Sequence, residues 1–242
     1  MDDRNVPLEN KSTIEEIRRR FDADVERFSN LETGQSATID APLVLDLIAA
    51  SAAAATPKAG RLLDVGCGAG NYTLKLLARL RLSSVTLVDL SQRMLDRAVE
   101  RISAGHNVAI NTIRGDIRQI ELPANHYDLI TAAAVLHHLR TDDQWRSVFA
   151  KFHACLRPGG SLWISDLVDH APALAQLMWA RYGDYLESLK GPAYREQVLD
   201  YVAKEDTPRP LLFQLELLRD VGFGTIEVLH KNSMFAAFGA IK

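Results

Sequence analysis

Short apolar runs alternate with longer amphipathic stretches through most of the chain. An apolar run bounded by turn residues is typical of a buried strand, and an amphipathic stretch of about ten or more residues is typical of a helix that covers a sheet. This alternation predicts an α/β fold with a mostly parallel sheet and right-handed crossovers. The predicted strands are Leu62–Val65, Val85–Asp89, Val108–Ile113, Tyr127–Ala132 and Ser161–Asp166, followed by an antiparallel hairpin of Thr225–His230 and Phe235–Ile241.

Residues 1–58 precede the first predicted strand and do not follow the alternation. After a polar arm, Ser12 and Glu15 have the spacing of a capping box, which predicts a helix from there to about Phe28. A second helix is predicted over the alanine-rich segment Ala41–Ala54. We therefore expect a helical segment ahead of a single domain formed by residues 59–242.

That domain is interrupted at about residues 170–206, where the sequence is helical in character. Aromatic residues are concentrated in this segment: Trp179, Tyr182, Tyr185, Tyr194 and Tyr201. We interpret it as an insertion that lies over the functional site.

A loop of alternating glycines follows the first predicted strand. Gly66, Gly68 and Gly70 allow a sharp turn and a close approach of a ligand to the backbone, and the helix after them offers free N–H groups to an anion. The dinucleotide fingerprint needs a glycine at the sixth position of the loop, which here is Asn71. Asp64, two residues before the first glycine, suits a cationic amino group. The loop therefore favours a nucleotide-like cofactor that carries both charges.

Two further acids follow later strands. Asp89 ends the second strand nineteen residues beyond Gly70, a spacing at which a carboxylate reaches a ribose. Asp116 follows the third strand within the triplet Gly115-Asp116-Ile117. Both acids belong to the same edge of a parallel sheet as the glycine loop.

This order of elements resembles the class I S-adenosylmethionine (SAM) dependent methyltransferases over roughly residues 61–242. The resemblance implies a Rossmann-like fold, with a seven-stranded, mostly parallel sheet, helices on both faces and an N-terminal lid. It implies SAM as the cofactor, with the glycine loop at its methionine end, Asp89 on the ribose hydroxyls and Asp116 on the adenine amino group. The residues it assigns to the cofactor are Asp64, Gly66, Cys67, Gly68, Gly70, Asp89, Leu90, Met94, Gly115, Asp116, Ile117 and Ala133.

Candidate catalytic residues lie just after the fourth strand and at the end of the fifth, because ligands of open α/β sheets bind outside the carboxyl ends of the strands. They are His137, with His138 beside it, and Asp166. A base is needed only if the acceptor must lose a proton. We expect methyl transfer to an unidentified acceptor, first of all a small molecule. The Asn- or Asp-Pro-Pro-aromatic motif of enzymes that methylate adenine amines or glutamine amides is missing after the fourth strand.

Three alternatives remain open. The layout also resembles the carboxy-SAM synthase family, whose product serves the modification of tRNA wobble uridines, and this resemblance implies an enzyme that makes or uses carboxy-SAM. Such an enzyme needs a cation near the SAM methyl group, for which Arg195 is the candidate and Arg181 or Arg209 would serve as well. The others are a catalytically inactive SAM-binding partner subunit and a nucleotide-dependent oxidoreductase, which Asn71 and Asp64 disfavour.

Composition limits the partners. The chain has 242 residues and a formal net charge of −3, so it shows no overall basic signature for nucleic acid, although RNA remains open as an acceptor. The basic run Arg18–Arg20 lies opposite the apolar positions of its predicted helix, which indicates a solvated face. Cys67 and Cys155 lack a metal-binding spacing, and no metal is predicted. No apolar segment has the length of a membrane span, a cytoplasmic location is expected, and a homodimer is left open.

Overall fold

The computed structural model describes residues 6–30 and 35–242. Its helices are α1 (Ile14–Ala23), α2 (Val25–Ser29), α3 (Ala41–Ala55), α4 (Asn71–Leu77), α5 (Gln92–Ser103), α6 (Asp142–Cys155), α7 (Pro172–Lys190), α8 (Pro192–Glu205) and α9 (Leu211–Asp220). Its strands are β1 (Arg61–Val65), β2 (Ser84–Asp89), β3 (Ala109–Arg114), β4 (Tyr127–Ala133), β5 (Leu156–Asp169), β6 (Arg209–Pro210), β7 (Thr225–Asn232) and β8 (Phe235–Ile241). No described helix combines the length and the apolar character that crossing a membrane requires.

The strands form one sheet in the order β3-β2-β1-β4-β5-β8-β7. The predicted α/β fold with a mostly parallel sheet is confirmed. Strands β1 to β5 run parallel, and β8 is antiparallel to both β5 and β7. The strand count is eight instead of seven because the two-residue β6 pairs with the end of β5. So short a strand leaves no signal in the sequence.

The register of the central strands brings the carboxyl ends of β1, β2 and β4 level with one another. Val65 lies opposite Val88 on one side and Ala132 on the other. The loops that follow these strands therefore start at the same height. This brings the glycine loop, Asp89 and the segment after β4 to one edge of the sheet.

Buried apolar residues cover both faces of the sheet. On one face, α6 contributes Trp145, Phe149 and Phe152, each fully buried. On the other face, α3 and α5 contribute residues such as Ile48 and Leu95. A third cluster joins the insertion to β8 and is formed by residues such as Tyr182, Leu186, Val198 and Met234. The insertion is thus anchored on the sheet.

The N-terminal segment differs in detail from the prediction. The capping box is formed by Thr13 and Glu16, not by Ser12 and Glu15: the Thr13 hydroxyl accepts from the Glu16 N–H, and the Glu16 carboxylate accepts from the Thr13 N–H at 2.8 Å. The N–H of Ser12 donates instead to the carbonyl of Lys204, which moves the cap by one residue. The helix also stops at Ala23, and α2 follows as a separate short helix.

Two other features were not predicted from the sequence. Leu8–Asn10 form a 3-10 turn in the polar arm. Strand β5 begins at Leu156, not Ser161, because Leu156 pairs with Tyr127 ahead of an irregularity in the register. The insertion does form helices, which are separated at Gly191, where φ is +84°.

Candidate active site

A cavity of about 360 Å³ lies at the carboxyl edge of the sheet and is covered by the start of α1. We call it the acid-lined cavity, because Asp89 and Asp116 stand at the ends of β2 and β3 on its wall. Its lining comprises Ser12, Thr13, Ile14, Ile17, Val65, Gly66, Val88–Leu90, Gly115–Arg118, Val135 and His138–Arg140. Each strand from β1 to β4 therefore contributes its end or the loop after it.

The glycine loop approaches this cavity in a conformation that disfavours other residues. The φ angles of Gly66, Gly68 and Gly70 are +66°, +49° and +82°. A Cβ on Gly66 would lie 2.6 Å from the Cβ of Val135, so this glycine permits close packing on the segment after β4. A Cβ on Gly68 would meet no atom within 4 Å. The space beside Gly68 is open, as a loop that cradles a ligand requires.

Asp89 connects the glycine loop to β2. Its carboxylate accepts hydrogen bonds of 2.9 Å from the N–H of Gly68 and from the N–H of Ser91. Burial raises the pKa of Asp89 to about 6. Each oxygen retains lone-pair capacity for a hydroxyl in the cavity. Asp116 is held differently, by the guanidinium of Arg118.

Asp64 does not face either cavity that we describe, in contrast to its predicted contact with a cationic group of the cofactor. Its oxygens accept hydrogen bonds from the hydroxyls of Thr73, at 2.6 Å, and Thr131, at 2.8 Å. Burial raises the pKa of Asp64 to about 6. The carboxylate thus joins β1 to α4 and β4, beneath the glycine loop.

A second cavity, of about 110 Å³, lies between the N-terminal helices, the ends of β4 and β5, and the insertion. We call it the aromatic cavity, because its lining includes Phe21, Phe28, Tyr72, Tyr182, Tyr201 and Phe235. Ala133, Ala134, His137 and Asp166 also line it. The predicted catalytic histidine and aspartate are therefore brought together here.

His137 is held between two carboxylates. Its Nδ1 is hydrogen-bonded to Asp166, and its Nε2 lies 3.5 Å from Oδ1 of Asp206. Asp166 also accepts from the N–H groups of Leu136, at 2.7 Å, and Leu167, at 2.7 Å. Burial alone would lower the pKa of His137, but Asp206 and Asp166 raise it to about 9.

His138 and Asp206 complete this cluster. The Nδ1 of His138 lies 3.3 Å from Oδ1 of Asp206. Burial lowers the pKa of His138 well below its usual value, and the neighbouring His137 and Arg20 act in the same direction. Burial raises the pKa of Asp206 to about 6. Asp206 was not predicted from the sequence, where it is one of several acids in the insertion.

Arg20, and not the predicted Arg195, lies at the aromatic cavity. Arg20 lines the aromatic cavity and makes a bidentate ion pair with Glu205, whose side chain is only 8% exposed. The prediction of a solvated face is therefore wrong for Arg20. The sequence did contain a signal for the partial burial of Arg20: it lies three residues after the apolar Ile17, and residues at this spacing share a helix face. Arg195 instead pairs with Glu187 at 2.9 Å and lines neither cavity.

The predicted cofactor residues are divided between the two cavities and the structure beneath them. Gly66, Asp89, Leu90, Gly115, Asp116 and Ile117 line the acid-lined cavity, and Ala133 lines the aromatic cavity. Asp64, Cys67, Gly68, Gly70 and Met94 are absent from both linings. The acids at the ends of β2 and β3 fit the nucleoside of SAM. The open space beside Gly68 fits a close approach of SAM to the backbone of the loop.

Comparison with known proteins agrees with this fit. The family model of a methyltransferase domain matches residues 62–160. An uncharacterized methyltransferase of Mycobacterium tuberculosis is 32% identical over 117 residues, which are 48% of this chain and 54% of that protein. The chain thus spans about half the length of this curated relative.

Two further similarities extend over more of the chain. The carboxy-S-adenosyl-L-methionine synthase of Chromohalobacter salexigens is 31% identical over 189 residues, which are 74% of this chain and 67% of that protein. The solved structure of a SAM-dependent methyltransferase from Leishmania major shares the fold, with a TM-score of 0.58 at 17% identity over 95% of this chain and 91% of that chain. The chain belongs to the SAM-dependent methyltransferase family, and SAM is its cofactor.

Proposed function

We propose that the protein transfers a methyl group from SAM to a small-molecule acceptor bound in the aromatic cavity. The observation that carries this proposal is the path of the segment after β4. His138 lines the acid-lined cavity, whereas the adjacent His137 lines the aromatic cavity. A donor whose nucleoside lies in the first cavity and an acceptor in the second would meet along this segment.

SAM supplies an electrophilic methyl group, and the chain has to align the acceptor with it. Alignment of this kind can account for roughly 7 to 11 kcal/mol of the barrier in the best cases. The rings of Phe21, Tyr182 and Phe235 line the aromatic cavity and would exclude water from it. His137, fixed in orientation by Asp166, lines the same space. These residues favour a compact acceptor with an apolar part.

Synthesis of carboxy-SAM is a second candidate, because a guanidinium lines the aromatic cavity. Arg20 could bind the carboxylate of a donor or of the product in bidentate geometry. The similarity to a carboxy-SAM synthase supports this candidate, since it extends over 74% of the chain. Against it, Arg20 is engaged by Glu205. This role would need Glu205 to share or release the guanidinium.

Mass spectrometry of the small molecule that copurifies with the protein separates these functions. We expect SAM or its demethylated product, S-adenosylhomocysteine. Carboxy-SAM would favour the second candidate, and a nicotinamide cofactor would contradict both. Incubation with methyl-labelled SAM and fractionated small metabolites then tests turnover: label transferred to a metabolite supports methyl transfer, whereas binding without transfer indicates a non-catalytic SAM-binding subunit.

A further inference from the structure

Two side chains between the two cavities have ligand atoms without hydrogen-bond partners: His138, at the acid-lined cavity, and Asp206, at the aromatic cavity. Both ring nitrogens of His138 and Oδ1 of Asp206 are buried and make no hydrogen bond. The Asp206 side chain is only 5% exposed. Buried polar atoms normally have partners, so these atoms call for an explanation.

Their spacing matches the ligand shell of a metal ion. One ring nitrogen each of His137 and His138 and one oxygen of Asp206 lie within 4.8 Å of one another. Oδ1 of Asp206 is 3.5 Å from Nε2 of His137 and 3.3 Å from Nδ1 of His138. Ligand atoms about 2.1 Å from a common ion stand about 3.0–3.5 Å apart in octahedral or tetrahedral geometry. A small closure of the histidines would complete such a shell.

The surroundings of the cluster also suit a cation. Nδ1 of His137 is bonded to Asp166, and a metal-binding histidine usually has its second nitrogen held by a carboxylate in this way. Asp166 and Asp206 place two carboxylates beside the histidines, which suits a cation. The nearby guanidinium of Arg20 is already neutralised by Glu205.

The backbone around Asp206 is fixed independently of the cluster. Its N–H donates to the carbonyl of Val202 at 2.9 Å, and its carbonyl accepts from Nζ of Lys11 at 2.6 Å. The next residue, Thr207, donates its N–H to the carbonyl of His137 at 2.7 Å. This bond joins the end of the insertion to the turn that carries both histidines. The three side chains are thus held together by the fold.

We propose that His137, His138 and Asp206 bind a divalent transition-metal ion of the zinc, iron or manganese type, with its open coordination positions directed into the aromatic cavity. Two imidazoles and one carboxylate form a recurrent ligand set for such ions. Cysteine spacing gives no sign of this site, and Asp206 lies far from the histidines in sequence, so no metal is predicted from the sequence. If the proposed function holds, an oxygen atom of the acceptor would take one open position.

Metal binding is tested on tag-free, chelator-treated protein titrated with Co²⁺, followed by visible absorption and by elemental analysis after gel filtration. We expect about one Co²⁺ per chain, and at least about 10-fold weaker binding in His138→Asn and Asp206→Asn. Asp184→Asn, at an exposed position of α7, is the control and should bind like the parent protein.

Absence of stoichiometric Co²⁺, or equal binding in Asp206→Asn and the parent protein, would overturn the proposal. Calorimetry with S-adenosylhomocysteine verifies that Asp206→Asn is folded, because the nucleoside pocket does not contain Asp206. His138 lines that pocket, so urea denaturation verifies the fold of His138→Asn instead. The result is independent of methyl transfer. Binding of Co²⁺ without methyl transfer would support the metal site and contradict the proposed function. Methyl transfer without binding of Co²⁺ would support the proposed function and contradict the metal site.

Discussion

The carboxylate of Asp89 accepts a 2.9 Å hydrogen bond from the backbone N–H of Gly68. This contact joins the glycine loop after β1 to the acid after β2, across strands whose ends are level. The same carboxylate lines the acid-lined cavity. Asp89 thus supports the loop and faces the proposed ribose position at the same time.

Replacing Asp89 with alanine should weaken binding of S-adenosylhomocysteine at least about 30-fold, because losing a hydrogen bond to a charged group costs about 2 kcal/mol. The loss of stability should be smaller. Burial raises the pKa of Asp89 to about 6, so removing the carboxylate also removes the cost of burying its charge.

Calorimetry and urea denaturation of the same samples measure the two effects of Asp89→Ala. Asp96→Ala, at an exposed position of α5, is the matched control and should change neither. Equal losses of affinity and stability in Asp89→Ala would argue that Asp89 is only structural.

Substitution by alanine should have different effects at Gly66 and at Gly68. In Gly66→Ala the new Cβ meets Val135, and the positive φ adds strain, so we expect a loss of about 2 to 4 kcal/mol in unfolding free energy. In Gly68→Ala only the strain remains, about 1 kcal/mol, but the Cβ enters the space left for the ligand.

Denaturation and ligand titration together distinguish the two glycine variants. Val135→Ala should restore only part of the stability of Gly66→Ala, because it removes Cγ2 and Cγ1 of Val135, at 2.7 and 3.2 Å from the new Cβ, but keeps the Val135 Cβ at 2.6 Å. Gly68→Ala with undiminished affinity for S-adenosylhomocysteine would show that the loop does not contact the cofactor.

The contribution of Asp64 to the unfolding free energy should fall as the pH rises, whereas that of a salt-bridged acid rises with pH. Burial raises the pKa of Asp64 from 3.8 to about 6 in the folded protein. Its contribution is therefore complete below pH 3.8 and is lost as the pH rises through about 6, a change of up to about 3 kcal/mol.

Asp64→Asn lacks this titration. The unfolding free energy of the variant, relative to the parent protein, should therefore increase between about pH 4 and about pH 7. Urea denaturation over that range measures it, with Asp96→Asn as the control. A difference between Asp64→Asn and the parent protein that does not vary with pH would contradict the assignment.

The ion pair between Arg20 and Glu205 should fix α1 on the insertion. The two side chains are 24% and 8% exposed. Removing one partner leaves a partly buried charge, so Glu205→Gln should cost about 3 kcal/mol. A double-mutant cycle with Arg20→Met isolates the interaction, and limited proteolysis should show earlier cleavage within α1. An additive cycle would mean that the pair does not couple the two elements.

The sheet could be predicted from the sequence because its signals are local. Apolar runs mark β1, β2 and β4, and the glycine loop marks the turn at Gly66–Gly70. The cap of α1 could not be fixed, because Ser12 with Glu15 and Thr13 with Glu16 have the same spacing. Only the contact of Ser12 with the distant Lys204 decides between them.

The site could be predicted only in part, for the same reason. His137 follows β4 and Asp166 lies within the adjacent strand β5, so their proximity follows from the fold. Arg20 meets Glu205 across 185 residues of sequence, and no local pattern indicates that pair. The sequence predicted that Asp64 faces a ligand. Its carboxylate is bound instead by the hydroxyls of Thr73 and Thr131, which become its neighbours only after folding.

A crystal structure of the complex with S-adenosylhomocysteine tests the central claim most directly. The account predicts the ribose hydroxyls on the carboxylate of Asp89, the adenine beside Asp116, and the sulfur near the segment that carries His137. A ligand bound elsewhere, or a folded protein that shows no nucleoside at saturating concentration, would contradict it.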